Sequence, residues 1–214
     1  MASLLDTLSE EEREQLRKKK PPQRLSPMLA TLTDDYFSDP DWLFERKFDG
    51  VRCLVHKHRS SAVALRSRNH KSQNSAFPEL VDAFDDLDAG DFIADGEIVA
   101  FDGSVTSFAK LQHRVGVTDP HEARASNVRV FIYLFDLLYL DGHVLDDLPL
   151  RTRKRLLKRA IDFADPIRYT EHRNEHGERF LREACRKKWE GLIAKKASST
   201  YRHSRSRDWL KFKC

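Results

Sequence analysis

A lysine flanked by acidic and basic side chains is the first residue of this chain that points to chemistry. In Glu45-Arg46-Lys47-Phe48-Asp49-Gly50, alternate side chains of an extended strand share a face, so Glu45 and Lys47 point the same way. The neutral amine of lysine is a nucleophile, and neighbouring cations together with partial burial lower the pKa of such an amine. Lys47 is therefore a candidate nucleophile. Taken alone, however, this short pattern is better explained by a surface hairpin with an Asp-Gly turn.

Further residues with chemical potential follow Lys47 in a fixed order. They occur in Ser67-Arg68-Asn69, Asp95-Gly96-Glu97, Phe135-Asp136, Glu190-Gly191 and Trp209-Leu210-Lys211-Phe212-Lys213. Each has a purely structural explanation: Phe135 as part of a core, Glu97 and Glu190 as turn residues beside glycine, and Lys211 and Lys213 as the exposed face of an edge strand. Their occurrence together, in this order, favours a shared function.

This series resembles the covalent nucleotidyltransferases, which include ATP-dependent DNA ligases, RNA ligases and mRNA-capping guanylyltransferases. The segments SPMLATL, WLFERKFDGVRC, FDLLYLDG, EGLIAKK, STYR and WLKFK are most similar to the ligase domain of bacterial end-joining DNA ligases. The similarity covers about residues 22–214. It implies an α+β, covalent nucleotidyltransferase (ATP-grasp-like) fold of mainly antiparallel sheets flanked by helices, with the active site between the sheets.

The resemblance also implies a role for each residue of the series. Lys47 would attack the α-phosphate of ATP, form a covalent lysyl-AMP and release pyrophosphate. Of the other expected nucleotide-binding residues, Glu45 would contact the adenine amino group and Phe135 would stack on adenine. Arg52 and Arg68 would bind ribose and phosphate oxygens. Lys195, Lys211 and Lys213 complete the set, and Lys211 and Lys213 are also expected to act in catalysis at the α-phosphate. Glu190 is expected to bind Mg²⁺ or Mn²⁺, and Glu97 to bind that metal or the ribose hydroxyl.

The resemblance has two departures that affect these expectations. The family pattern commonly continues with glycine after Ser67-Arg68-Asn69, whereas this chain has His70. Family members also continue into an OB-fold domain, which does not fit before Cys214. We therefore expect residues 1–21 to form a charged helix and linker, with the helix at 9–20, and residues 22–214 to form the adenylation domain. On this expectation the chain adenylates slowly and seals nicks weakly without an OB-fold domain.

Charge favours a polyanionic partner. Residues 151–214 carry 20 Lys and Arg against 8 Asp and Glu, whereas residues 1–150 carry 18 against 26. The expected partners are ATP, nicked or broken double-stranded DNA lying across this basic half, a Ku-like end-binding protein, a polymerase, and an OB-fold domain in cis or in trans. The alternatives are an RNA ligase, a capping guanylyltransferase, or a non-catalytic nucleic-acid-binding module.

Composition limits the cellular locations in which such a protein can act. The chain is 40% hydrophobic and 34% charged and has no run of eighteen apolar residues, which excludes an ordinary transmembrane helix. The N-terminal segment lacks the regions of a signal peptide. Three widely spaced cysteines, Cys53, Cys185 and Cys214, predict neither a disulfide framework nor a cysteine zinc site. The expected location is the cytoplasm, with nucleoid association if the source is bacterial.

Periodicity predicts the main elements. Alternating residues predict strands over 42–48, 51–58 and 62–68, and an apolar run predicts a long buried strand over 128–140. Residues 91–101 predict two strands broken around Asp95-Gly96. Amphipathic patterns predict helices over 78–87, 150–161 and 178–189, and short strands are expected at 191–198 and 208–213.

Overall fold

Two β-sheets form the framework of the protein, which a computed structural model describes for residues 4–214. The larger sheet contains β1 (Arg17–Lys18), β4 (Val51–His58), β5 (Ser61–Ser67), β6 (Phe92–Asp102), β7 (Val105–Thr106), β8 (Val130–Leu140), β9 (His143–Val144) and β10 (Ile167–Tyr169). The smaller sheet contains β2 (Leu29–Leu32), β3 (Trp42–Arg46), β11 (His172–Asn174), β12 (Gly191–Lys196) and β13 (Arg205–Lys213).

Strand order confirms the expected sheet type. The larger sheet runs β1-β9-β8-β6-β4-β5, with β10 beside β8 and β7 beside β6, and the smaller runs β11-β3-β12-β13-β2. Among the described strands, the β10–β8 and β13–β2 pairs are parallel and the others are antiparallel. The architecture is therefore α+β with mainly antiparallel sheets, as predicted.

Helices cover the outer faces of the two sheets. A 3₁₀ turn (Leu4–Thr7) precedes α1 (Glu10–Glu14), α2 (Pro78–Asp85), α3 (Phe108–Leu111), α4 (Pro120–Ala125), α5 (Leu150–Ala160) and α6 (Gly177–Arg186). The three longer helices α2, α5 and α6 confirm the amphipathic predictions to within a few residues. No helix in the described part of the chain is both long enough and apolar enough to cross a membrane.

Side-chain alternation assigns each face of the smaller sheet. Phe44, Leu192 and Phe212 point to one face and pack with residues of α6 into an apolar cluster. Glu45 and Trp209, which occupy the alternate positions, point to the opposite face, toward the larger sheet. Because strand side chains alternate, α6 and the space between the sheets lie on opposite sides of this sheet.

The chain begins differently from the prediction of a helix over residues 9–20. The capping box between Ser9 and Glu12 is present, but α1 ends at Glu14. Arg17–Lys18 instead pairs with the edge strand His143–Val144. Leu16 packs against the core, so the chain is held beside an edge whose free backbone groups accept an added strand.

The predicted break in residues 91–101 is also wrong, because Phe92–Asp102 is one continuous strand. The feature that looked like a turn is a bulge: the register with β8 shifts between Asp95 and Gly96. A Cβ atom at position 96 would lie 2.8 Å from the Tyr133 carbonyl oxygen. Glycine is therefore needed here for the close approach of two strands and not for a turn.

The cysteine prediction is wrong for one pair. Cys185, in α6, and Cys214, just after β13, form a disulfide with Cα atoms 5.3 Å apart. Both elements belong to the same layer of the smaller sheet, which brings together two residues that are 29 apart in sequence. Cys53 is a buried free cysteine, and burial raises the pKa of its thiol well above the ordinary value.

A fully buried ion pair anchors α5 to the long strand β8. Nε and Nη2 of Arg153 donate to the two carboxylate oxygens of Asp136 at 2.8 and 2.9 Å. Nη1 donates to the carbonyl oxygens of Leu148 and Ser199, the second at 3.0 Å. Both charged side chains are 0% exposed. Removing one member of such a pair leaves an uncompensated buried charge.

We therefore expect Arg153→Met to lower the free energy of unfolding by about 3 to 5 kcal/mol. Urea unfolding followed by circular dichroism measures this difference. The matched control is Arg151→Met, which removes an exposed arginine from the same helix and should change stability by less than about 0.5 kcal/mol. Equal losses for the two variants would show that the buried pair has no special role.

Candidate active site

A cavity of about 220 Å³ lies between the two sheets, next to Lys47. Both sheets contribute to its lining. The smaller sheet and the residues directly after β3 contribute Leu29, Ala30, Glu45, Arg46, Lys47, Phe48, Ile193, Lys195, Arg205, Trp209 and Lys211. The larger sheet, including the residue directly after β5, contributes Arg52, Arg68, Glu97 and Phe135. Most of the predicted residues therefore line this cavity, which agrees with the expected active site between the sheets.

Lys47 lies where the chain crosses from one sheet to the other. It follows β3 in the smaller sheet, and β4 in the larger sheet begins at Val51. A Cβ atom at Gly50 would lie 2.2 Å from the Ile98 carbonyl oxygen, so only glycine permits this close crossing. The Asp-Gly pair is thus a link between sheets and not the turn of a surface hairpin.

Two contacts with the start of β12 hold Lys47. Its backbone N–H donates to the Gly191 carbonyl oxygen at 2.9 Å, and its Nζ donates to Oε2 of Glu190. Gly191 has a φ of +140°, and a Cβ atom there would lie 1.9 Å from the Phe212 carbonyl oxygen. The Glu-Gly sequence thus lets the backbone pass close to β13 while the Glu190 carboxylate reaches the amine.

Glu45 is buried between two lysines. Its Oε1 accepts a hydrogen bond from Lys154 Nζ at 2.5 Å, and its Oε2 lies 2.6 Å from Lys195 Nζ. Burial raises the pKa of the Glu45 carboxyl, but the two ammonium groups outweigh this effect and leave the pKa below its ordinary value. Burial lowers the pKa of Lys195 to about 8, against the opposing effect of Glu45. Glu45 is therefore an ionised acceptor in the wall of the cavity.

Arg52 is held by a second buried carboxylate. Its Nε and Nη2 donate to Asp95 at 2.5 and 2.6 Å, and Nη2 also donates to the Met28 carbonyl oxygen at 2.9 Å. Tyr201 donates its hydroxyl hydrogen to Asp95 at 2.6 Å. Burial lowers the pKa of Arg52, but Asp95 more than reverses this and raises it above the ordinary value. Within the described residues, Nη1 of Arg52 has no protein partner and is available to a ligand.

Glu97 is the carboxylate that most needs a cation. It lies opposite Arg52 in the β4–β6 register and has no hydrogen bond within the described residues. Burial, with Asp95 and Glu190 acting in the same direction, raises its pKa to about 7 against the opposing effects of Arg52 and Lys47. A divalent cation favours oxygen ligands and would stabilise the ionised form. Glu97 and Glu190 therefore fit the predicted metal-binding role on chemical grounds.

Cations line the side of the cavity that contains Lys47. Lys211 points into it from β13, and burial and then the neighbouring charge of Lys47 lower the Lys211 pKa. Arg68 and Arg205 also line it. Lys213, two residues beyond Lys211, pairs with Gly191 and does not line the cavity. This arrangement suits an anionic ligand.

Aromatic rings line the side near Glu45. The rings of Phe135 and Trp209 meet edge-on with centroids 6.1 Å apart. Lys195 Nζ lies 4.1 Å from the centroid of each ring. Phe135 is 7% exposed, so it belongs both to the core between the sheets and to the cavity lining. The two explanations that the sequence left open for Phe135 are therefore compatible.

The structure brings most of the predicted residues together. Glu45, Lys47, Arg52, Arg68, Glu97, Phe135, Lys195 and Lys211 line the cavity; Glu190 contacts Lys47 without lining it, and Lys213 lies outside. Sequence reasoning missed Lys154, Asp95, Arg205 and Trp209. Asp95 and Trp209 stand inside quoted motifs and could have been found there, whereas the pattern of α5 makes Lys154 look like a surface cation.

We expect the Glu97→Gln variant to be more stable than the wild type at pH 8 by on the order of 2 kcal/mol. A carboxyl whose folded pKa is about 7, above its ordinary value of 4.5, binds a proton on folding between these two values. The stability of the wild type therefore falls as pH rises through this interval and then levels off. The Glu97→Gln variant has a neutral amide at this position, so its stability does not show this fall. Urea unfolding at pH 5 and pH 8 measures the difference.

The control for this prediction is Asp102→Asn, at the end of the same strand. The Asp102 side chain is 74% exposed, so its replacement should leave the pH dependence of wild-type stability unchanged. Parallel pH profiles for Glu97→Gln and the wild type would contradict the assignment of a raised pKa to Glu97.

Known proteins are similar to this chain over most of its length. The family described as "ATP dependent DNA ligase domain" matches residues 27–213. The multifunctional non-homologous end joining DNA repair protein LigD of Mycobacterium tuberculosis is 36% identical over 194 residues, which are 88% of this chain and 24% of that protein. LigD of Pseudomonas aeruginosa is 32% identical over 196 residues, 90% of this chain and 22% of the relative. The chain thus spans about a quarter of the length of these relatives.

Solved structures show the same fold. The crystal structure of the ligase domain of M. tuberculosis LigD has a TM-score of 0.74 and 31% identity and covers 89% of this chain and 60% of that chain. A mycobacterial DNA ligase D complexed with ATP and MES has a TM-score of 0.73 and 32% identity over the same shares. The family match, the identity to these ligases and the shared fold agree, and the chain belongs to the ATP-dependent DNA ligase domain family.

Proposed function

We propose that this chain is the adenylation domain of an ATP-dependent DNA ligase of the end-joining type. In this proposal, Lys47 Nζ forms a bond to the α-phosphorus of ATP, the bond from that phosphorus to the bridging oxygen breaks, and pyrophosphate leaves. Glu190 Oε2, which accepts a hydrogen bond from Lys47 Nζ, is the acceptor that we propose for the proton lost by the amine. AMP then passes to a DNA 5′-phosphate, and the 3′-hydroxyl displaces it to seal the strand.

The observation that carries this proposal is the position of Lys47 at a cavity with two chemically different sides. Near Glu45, aromatic rings and an ionised acceptor suit a base that carries an exocyclic amino group. Near Lys47, the side chains of Arg68, Arg205 and Lys211 suit phosphate. An amine placed at the phosphate side is positioned for attack at phosphorus, for which positioning and charge neutralisation provide most of the catalysis.

Of the predicted nucleotide-binding residues, Lys195 and Lys213 take modified roles in this proposal. Lys195 is 2% exposed and lies against Glu45, so it acts by keeping that acceptor ionised. Lys213 acts together with Lys211 on phosphate at the entrance to the cavity. Arg52 offers Nη1 to ribose or phosphate oxygens while Asp95 holds its other nitrogens.

We propose Glu97 and Glu190 as the side chains that hold Mg²⁺ or Mn²⁺. When bound, the metal would neutralise charge on the phosphates. Magnesium chloride should then raise the melting temperature of the wild type at pH 8 and leave that of Glu97→Gln unchanged, a readout that requires no nucleotide.

The relatives are named as multifunctional end-joining proteins, which supports broken or nicked double-stranded DNA as the acceptor. On the same ground we propose a Ku-like end-binding protein, a polymerase domain or protein, and an OB-fold domain in cis or in trans as partners. Action on DNA in this role implies a cytoplasmic location, at the nucleoid in a bacterium.

The test is the intact mass of the protein before and after incubation with ATP and Mg²⁺. We expect a gain of one AMP that acid releases, as it does from a phosphoramidate, and at least a hundredfold smaller yield from Lys47→Ala because the nucleophile is absent. Lys71→Ala, which removes an exposed lysine outside the cavity, should retain the gain. GTP in place of ATP tests the guanylyltransferase alternative.

A gain of AMP on Lys47→Ala would contradict the assignment of the nucleophile. No gain on the wild type, even after an OB-fold domain of a related ligase is supplied in trans, would contradict the proposed function and favour a non-catalytic nucleic-acid-binding module. A gain from GTP but not from ATP would replace the ligase proposal by a capping enzyme.

A further inference from the structure

A second groove, of about 710 Å³, lies on the larger sheet outside the cavity. We call it the basic groove; its charged and titratable lining residues are Lys20, Arg24, His56, His58, Arg66 and His70. Among the described residues, none of the side chains that line it is a carboxylate. Asp91 lies close by, with its Oδ2 atom 3.8 Å from His58 Nδ1.

One wall of the basic groove is the segment 20–24, and this wall is fixed at both ends. Before it, Arg17–Lys18 pairs with β9, and the Lys19 N–H donates to the Gly142 carbonyl oxygen at 2.9 Å. After it, Leu25 packs against the apolar cluster between the sheets. Two consecutive prolines restrict the backbone between these anchors. The groove is therefore preformed, and a ligand need not order this wall.

The cations of the basic groove are unpaired. Within residues 4–214, Lys20, Arg24 and Arg66 have no carboxylate within ion-pair distance, although ion pairs are frequent elsewhere on this surface. His56 adds no positive charge at neutral pH, because burial lowers its pKa to about 4, aided by His58 and Arg66. The Nδ1 atom of His58 is buried and lies near Asp91. The groove thus offers the free cations of Lys20, Arg24 and Arg66 to a ligand.

The basic groove continues into the active site along β5. Arg66 lines the groove, and Arg68, two residues further, lines the cavity beside Lys47. Arg68 lies in the turn that follows β5, where the His70 N–H donates to the Ser67 carbonyl oxygen at 2.9 Å. The two arginines, one at the end of β5 and one in this turn, therefore connect the groove to the cavity.

The face of the sheet supports the same path. Leu65, between Ala64 and Arg66, points into the opposite core, so Ala64 and Arg66 share the face that leads to the cavity. The cations of α6 are another group of exposed positive charges, but α6 packs on the side of the smaller sheet that faces away from the cavity. Phosphates bound there would not lead to Lys47.

We propose that the basic groove binds the phosphate backbone of a DNA strand that enters the active site at Arg68. This inference rests on the proposed function and adds to it the surface that holds the acceptor. It replaces the expectation that DNA lies across the whole basic segment 151–214 with a path on the β4–β5 face of the larger sheet. Recognition by backbone phosphates is independent of base sequence and weakens with salt.

The test compares two triple variants in their binding to a fluorescent nicked duplex with a 5′-phosphate. One variant removes three groove cations, Lys20→Gln, Arg24→Gln and Arg66→Gln. The matched control removes three exposed arginines from α6, Arg179→Gln, Arg182→Gln and Arg186→Gln. Fluorescence anisotropy titrations between about 50 and 200 mM salt give the affinity and its salt dependence. Intact mass after ATP and Mg²⁺ is measured on the same samples.

We expect the groove variant to bind at least tenfold more weakly and to lower the slope of log K against log salt by about 2 to 3, because each lost phosphate contact contributes about 0.9. The α6 control should change the slope by less than about 1. Both variants should gain AMP as the wild type does, because none of the six residues lines the cavity.

Three outcomes would overturn the inference. An unchanged slope for the groove variant, or an equal loss in both triple variants, would do so while the AMP gain shows that the proposed function stands. Failure of the wild type to gain AMP, even with an OB-fold domain of a related ligase supplied in trans, would instead show that the proposed function fails, and the inference with it.

Discussion

The cost of placing charges between two β-sheets is the constraint on which this structure depends. Each of three fully buried carboxylates at this interface forms an ion pair with a cation from another element: Glu45 with Lys154 and Lys195, Asp95 with Arg52, and Asp136 with Arg153. The pairs also connect elements that backbone hydrogen bonds do not, such as α5 to both sheets. Glu97 is the exception, since its carboxylate has no hydrogen bond within the described residues and burial raises its pKa.

The elements that could be predicted from sequence are those whose own residues decide them. The strand over 51–58 alternates, the run over 128–140 is apolar throughout, and the helices over 78–87 and 150–161 carry one apolar face. The errors occurred where the deciding partner lies far away. The Lys18 region extends because β9 offers a free edge, and Gly96 marks a bulge because β8 crowds it. Cys185 meets Cys214 because α6 packs against the sheet that contains β13.

The residues of the site also divide into those that the sequence predicted and those whose position depends on a distant partner. The order of the residue types favoured a shared function, and the resemblance to covalent nucleotidyltransferases then assigned roles to the lysine, the carboxylates and the aromatic ring. What pairs with them was not predictable, because a lysine on an amphipathic helix such as Lys154 becomes a buried partner only when Glu45 is opposite it. The sequence pattern of Arg52 likewise could not show that Asp95 accepts hydrogen bonds from its Nε and Nη2 atoms, which leaves Nη1 for a ligand.

The short links between the sheets have a mechanical consequence. The chain passes from the smaller sheet to the larger through residues 47–50, and back from the larger sheet to the smaller through residues 170–171. Thr170 contacts the buried network, since its carbonyl oxygen accepts a hydrogen bond from Lys154 at 3.0 Å. Because both links are short, they limit how far the two sheets can separate at these positions. Lys47, inside one of the links, therefore stays close to both sheets.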